Sequence, residues 1–516
     1  MIANKFSLTK GFVCFLVFYL TTIFSLTYNF RANLINLICA IFLVLSFNPF
    51  GIDKEKKIYF SVIGVLFSIV GYFLSNMAVW IIFVAFLSSI YVCLPKKDEY
   101  LLGKMIILVA SFLNLAIITH TKIGDIQYDF ASCYNYIEYI MENNFLFWRE
   151  NPLLTRPSYS TYHPILHFFM SAVVLKSGIL LGATKEIASE ALQVMYVCYM
   201  FSYYLVGEKI FKLLNFRGII YIGSISFLSL FPVYNAIGGF FNNDGLTVLL
   251  QSLVIYYSLL YYKEGGFSNI IKVSLIAILC CLTKLSGVLV LSGLLIALLA
   301  RLYIKQDKQT FMETLLCGCL VLCGMIIWPM YQYFVLGIGF DFVPPQEHLS
   351  IAKFSLIERF SPIKAIFYNE IFYQDLEINL WETLSKTALF GQWNLYARAK
   401  DIMWLLWSIV YLYKFVLIMI FIGSFYILIK NYNKFITYFI LALIVSILSG
   451  MIVFVIKHPY SCSQDFRYIA ISVLVMSMIL GKFLENMPKW IKNIGIGGVI
   501  CFSVLSSIVW WYAVFS

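Results

Sequence analysis

Long apolar runs alternate with short basic loops along most of this chain, and two long polar stretches interrupt the alternation. A helix that crosses a membrane needs about 20 apolar residues. Runs of that kind lie near 11–28, 33–48, 58–74, 77–94, 105–119, 188–208, 218–236, 244–262, 270–283, 286–304, 312–336, 403–429, 435–456, 467–484 and 491–514, so fifteen spans are expected. The first run lacks a small-residue cleavage site and reads as a span, not a removable leader. The polar stretches are 120–187 and 337–402. The expected organisation is an N-terminal four-helix membrane module (1–104) and a core membrane module (105–336) that carries the external loop 120–187. A second external loop (337–402) and C-terminal membrane helices (403–516) follow. The fold class is an all-α polytopic membrane protein.

Two shorter helices are expected within the first polar stretch. Over Asp129–Asn144, Phe130, Cys133, Tyr134, Ile137, Ile140 and Met141 recur on one helical face, with Glu138 and Glu142 off it. Pro164–Gly182 is apolar but interrupted by His167 and Lys176, and is expected to lie at the membrane interface.

Composition fits this pattern. The chain is 61% hydrophobic and 12% charged with mean hydropathy +0.87, which excludes an ordinary soluble protein. The net charge of +11 points to no nucleic-acid partner, because Lys and Arg concentrate in the cytoplasmic loops of membrane proteins. With the N-terminus inside, 21 basic residues of the short loops face the cytoplasm, against Arg31, Lys284, Lys457 and Arg467 outside. Both polar stretches are then extracytoplasmic. Most cysteines sit in apolar runs as small hydrophobes; only Cys133 and Cys462 fall in external loops, where a bridge between them could form.

The stretch Thr119–His167 gathers Lys122, Asp125, Asp129, Glu138, Glu142, Arg149, Glu150, Arg156, His163 and His167. A membrane protein keeps so many ionisable groups together where water or a polar ligand reaches them. Asp125, at the outer mouth after the fifth span, suits a general base or a metal ligand; Asp129 suits a helix start, with a second-acid, metal or substrate role as its alternative. Asp244, in GGFFNNDGLTVLL, enters a span where a helix N-terminus favours a carboxylate. Asp125 and Asp244 could share a substrate or a divalent cation, the one cofactor the sequence raises. His163 and His167, four apart in YHPILH, have the spacing of a metal pair, though a phosphate or hydroxyl contact by His163 is favoured. Lys284 in CLTKLSG and Arg467 in KHPYSCSQDFRYI are either interface anchors or ligands for a lipid phosphate.

In this order GDIQYDFASCYNYIEYI, YHPILH, NNDGL, LTKLSG and DFRYI resemble the multi-pass C-type (GT-C) glycosyltransferase superfamily, over residues 105–484. Protein O-mannosyltransferases, aminoarabinose transferases and related bacterial polyprenyl-phosphate-sugar enzymes belong to it. The resemblance implies a GT-C-like helix bundle with external juxtamembrane helices. Asp125 would be the catalytic first-loop acid, Asp244 the second acid, and His163 a group on the phosphate side. The paired acid after Asp125, and the second Pro after His163 that many relatives carry, are absent. The implied reaction is inverting transfer of a sugar from a polyprenyl-phosphate donor to an envelope glycan, lipid or protein, at the outer face of a plasma membrane, with a bacterial source expected. The rival expectation is a transporter or flippase for lipid-linked glycans. Against it, only Lys414 lies clearly inside an apolar run.

Overall fold

The structure, a computed structural model, describes residues 99–121, 123–124, 130–143, 162–337, 343, 346–363, 378–391, 399–430 and 434–515. The four leading spans expected before residue 99 lie outside them, as do Asp125 and Asp129. The described chain is all-α and polytopic, with no strand and one isolated bridge between Ser350 and Tyr460.

The helices are α1 (Glu99–His120), α2 (Phe130–Glu142), α3 (Leu166–Leu180), α4 (Lys185–Ala191), α5 (Gln193–Leu213), α6 (Gly218–Ser229), α7 (Val233–Gly239), α8 (Asp244–Glu264) and α9 (Phe267–Cys281). After a 3-10 turn at Leu285–Val290 come α10 (Leu291–Lys305), α11 (Lys308–Tyr331), α12 (Leu356–Phe360), α13 (Leu380–Phe390), α14 (Met403–Lys430) and α15 (Lys434–Lys457). Two 3-10 segments, Ser461–Gln464 and Phe466–Ile469, lead into α16 (Ser472–Glu485), and α17 (Lys489–Phe515) completes the bundle.

Six helical units among the described residues are long and apolar enough to cross a membrane, or eight with two bent pairs counted as one span each. Every expected span from 105 onward falls on a helix or helix pair, but several are broken. The 218–236 run is α6 and α7, bent by 49°. Pro232 forces the break, since it disfavours helical backbone in the residue before it and has no N–H to donate. The 467–484 run is the 3-10 segments plus α16, bent by 52°. Pro329 lies inside α11, which ends in a π turn over Gln332–Leu336; a helix interrupted by proline relaxes in this way.

The expected span 270–283 is also corrected. It is α9, of 15 residues, or about 22 Å against a hydrocarbon core of about 30 Å. The turn that follows it is buried in the bundle, with Thr283 and Lys284 both inside. The α3 helix, also 15 residues, is equally short for a span. It packs on α2 and α4 through a buried stripe of His167, Phe168, Ser171, Ala172, Leu175 and Gly178. The opposite side leaves Val173 and Leu180 exposed. On α2 the buried set includes the expected Cys133, Ile137, Ile140 and Met141, and adds Tyr136 and Tyr139. The cysteine bridge is overturned. Cys133 is a buried thiol within the α2–α3–α5 core and Cys462 a thiol beside Gln346, and the two are not joined in a disulfide.

The bundle has two ends, marked by the two ends of α8. At one, Lys482 caps the α5 carbonyl of Leu214 and Arg301 bonds the α8 carbonyls of Tyr262 and Glu264; cations at helix C-termini complement the helix dipole. The other end carries the α8 N-terminus, the turn at Lys284 and the 461–469 segment, and it holds the candidate site.

Candidate functional site

Local hydrogen bonding builds the site. The Asp244 N–H donates to Asn242 Oδ1 (2.8 Å), which starts α8 at that residue. Asn243 Nδ2 donates to the Thr283 carbonyl (3.3 Å) and Gln251 Nε2 to that of Ser286 (2.6 Å), so the turn after α9 is tied to α8 from both sides. Gly287 lets the turn close, because a Cβ there would lie 2.6 Å from the Cys280 carbonyl oxygen, a backbone atom that cannot step aside. Lys284 is extended at φ −160° and only 5% exposed.

Its ammonium is ion-paired with Asp244 Oδ1, although the two residues are 40 apart in the chain. Asp244 is 2% exposed, and its second oxygen, Oδ2, is buried with no hydrogen-bond partner among the described residues. The same ammonium lies 4.7 Å from the centroid of the Tyr468 ring, and the Arg467 guanidinium carbon lies 5.5 Å from that centroid. Arg467 in turn faces Asp465, with Nε 3.5 Å from Oδ2, and Asp465 Oδ1 accepts the Arg467 N–H (2.8 Å). The result is an array of acid, cation, aromatic ring, cation and acid. Cations over an aromatic face are attracted by its quadrupole, most strongly where water is scarce.

A cavity of about 160 Å³ opens against this array. Tyr162, His163 and Pro164 form one wall, Lys284 and Tyr468 the polar side, and Phe454 of α15 lines it with other apolar groups. The His163 segment is held by Gln332 Nε2, which donates to the Tyr162 carbonyl (3.1 Å), and by the Leu166 N–H, which donates to the Leu282 carbonyl (3.0 Å). Two of the three expected phosphate-side cations, His163 and Lys284, thus line one cavity, and Arg467 lies against the Tyr468 ring that Lys284 also meets. Lys284 is a buried, paired group and no snorkelling anchor.

The two histidines part company. His167 is fully buried and its Nε2 is hydrogen-bonded to Tyr196 OH (3.1 Å), while Nδ1 has no partner among the described residues. Burial pushes its pKa down to about 3, with the Asp244 carboxylate opposing and the charges of Lys284 and His163 reinforcing the shift. It is therefore a neutral core group. No cluster of three or more metal-ligating side chains occurs among the described residues. The ammonium of Lys284 takes the place that a cation would take on Asp244 Oδ1.

Asp125 and Asp129 lie outside the described residues, but the chain entering their loop is anchored. The Ile123 N–H donates to both Glu190 carboxylate oxygens (3.3 and 3.1 Å), and Gln193 Nε2 donates to Glu190 Oε2 (2.8 Å). Gly124 turns the chain at φ +93°, a region that favours glycine. Sequence reasoning missed Glu190, Asp465 and Tyr468. The Arg-Tyr neighbours in DFRYI were the one signal for Tyr468, and nothing in that spacing says that Lys284 reaches the other side of the array. No protein-family model and no curated protein matches this chain by sequence.

Proposed function

We propose that the protein is an integral-membrane glycosyltransferase that takes a sugar from a polyprenyl-phosphate donor and passes it to a cell-envelope acceptor on the outer face of the membrane. The observation that carries this reading is that His163, Lys284 and Tyr468 line one apolar-walled cavity, and that Arg467 lies against the same Tyr468 ring as Lys284. A phosphate with a hydrocarbon tail needs just such a mixed surface. In this reading the acceptor hydroxyl gives its proton to Asp125 as general base and attacks the anomeric carbon. The bond from that carbon to the phosphate oxygen breaks with inversion, and polyprenyl phosphate leaves. The cations stabilise the charge that grows on the leaving oxygen. The orientation follows from the basic-loop asymmetry, with the N-terminus cytoplasmic.

A second reading, a flippase for lipid-linked glycans, has one observation in its favour. The breaks in the two bent helix pairs meet. Tyr234 OH, at the start of α7, donates to the Ala470 carbonyl (2.8 Å) and is 2.5 Å from Tyr203 OH. Transporters use such discontinuous helices around their binding sites. The charged groups of the described site, however, cluster at one end of the bundle, as a one-sided reaction requires.

The test is binding of farnesyl phosphate to the purified protein in detergent. A hydrogen bond to a charged group contributes roughly 1.5–3 kcal/mol. His163→Ala and Arg467→Gln are therefore each expected to weaken binding by roughly 10–150-fold, at 1.4 kcal/mol per decade. Arg467→Lys should recover only part of the loss, because Lys lacks the planar two-pronged contact. Unchanged affinity in both primary variants would retire the phosphate seat.

A further inference from the structure

Lys284 meets any ligand already neutralised. Its ammonium and the Asp244 carboxylate are both buried, with side chains 7% and 2% exposed, and they form a pair of zero net charge. The titratable groups around the pair are His163 and His167 from the α3 segment, with Tyr196 and Tyr199 of α5 packed on His167, and Cys280 at the end of α9, whose carbonyl accepts the Lys284 N–H. The third side holds Asp465, Arg467 and Tyr468 from the 3-10 segment. An anion that binds Lys284 adds a full negative charge to this buried pair. Excess charge away from water is strongly unfavourable unless a compensating charge arrives with it. Asp244 Oδ2, buried and without a hydrogen-bond partner among the described residues, is the oxygen of the pair that can take up a compensating proton.

We propose that a phosphate-bearing ligand binds this pocket together with one proton, taken up on Asp244 Oδ2. The protonated acid no longer competes for Lys284, whose ammonium turns to the anion. Oδ2 changes from an unsatisfied acceptor to a hydrogen-bond donor toward the ligand or the protein. The sign of the linkage follows: because the bound state holds one more proton than the free state, affinity falls as pH rises. The proposal rests on the transferase reading only in that the ligand carries a phosphate.

The test uses the full chain in detergent and farnesyl methyl phosphate, a phosphodiester whose charge stays at −1, since a phosphate monoester would titrate near pH 6 itself. Calorimetry in buffers of matched pH and different ionisation heats, with chelator present, counts protons taken up per ligand bound. The expected result for the wild type is about one proton and an affinity that falls about tenfold per pH unit where uptake is complete. Asp244→Asn should bind with uptake near zero and an affinity nearly flat in pH. The double variant Asp244→Asn/Lys284→Gln, which leaves no lone buried charge, should also take up none. Wild-type binding without proton uptake overturns the proposal and leaves the transferase reading standing. So does binding that appears only when Mg²⁺ replaces the chelator, without protons. Undiminished uptake in Asp244→Asn overturns the assignment to Asp244 and moves the proton to His167. No binding by the wild type overturns the proposal and the phosphate site together.

Discussion

Asp244→Asn is expected to lower the stability of the protein by about 3–5 kcal/mol, the usual cost of leaving one member of a buried ion pair alone. The magnitude follows from burial. Lys284 is 5% exposed and Asp244 2%, so water cannot replace the lost partner. The Lys284 turn is also fixed to α8 by Asn243 and Gln251, so the backbone that carries the ammonium stays in place. Joint replacement, Asp244→Asn with Lys284→Gln, should recover most of the loss, because a buried pair exchanged for neutral groups of similar volume is often neutral in stability. Chemical denaturation in detergent of the wild type, both single variants and the double variant measures this as a double-mutant cycle. Single variants as stable as the wild type would show that the pair is solvated in solution.

Asp125→Asn is expected to remove most turnover while expression and fold are kept, since general-base assistance contributes about 10²–10⁴-fold. The loop that carries it starts from a fixed point, where Glu190 holds the Ile123 N–H and Gly124 turns the chain. Substitution at Asp125 leaves that anchor intact. Sugar transfer measured on membranes from cells carrying each variant checks it. Near-normal transfer in Asp125→Asn would pass the base role to Asp129.

The membrane fold was legible because its signal is local. A run such as 435–456 holds about the residues a span needs, and the described helix, Lys434–Lys457, follows it closely. The Pro232 break had its cue in the residue itself. The 3-10 opening of the last bent pair did not, since FRYIAIS carries no Pro or Gly. The site was legible as a list of residues and not as an arrangement. Asp244 and Lys284 were singled out for separate roles, and their pairing across 40 residues depends on the bonds from Asn243 and Gln251 that hold the turn after α9 against α8. His163 and His167 share a helical spacing, yet the helix starts only at Leu166, between them, so one lines the cavity and the other enters the core against Tyr196. Tyr468 escaped notice because an aromatic residue beside Arg is ordinary in a membrane protein, and its meaning comes from cations on both sides.

The most direct test of the transferase reading is mass spectrometry of envelope glycans and of lipid-linked sugars from cells with and without the protein. The account predicts that loss of the protein removes one sugar from an envelope glycan, lipid or protein while the matching polyprenyl-phosphate sugar accumulates, and that wild-type protein, but not Asp125→Asn, reverses both changes. Unchanged envelope sugars, or accumulation of a complete lipid-linked glycan confined to the cytoplasmic face, would contradict it, and the second result would favour a flippase.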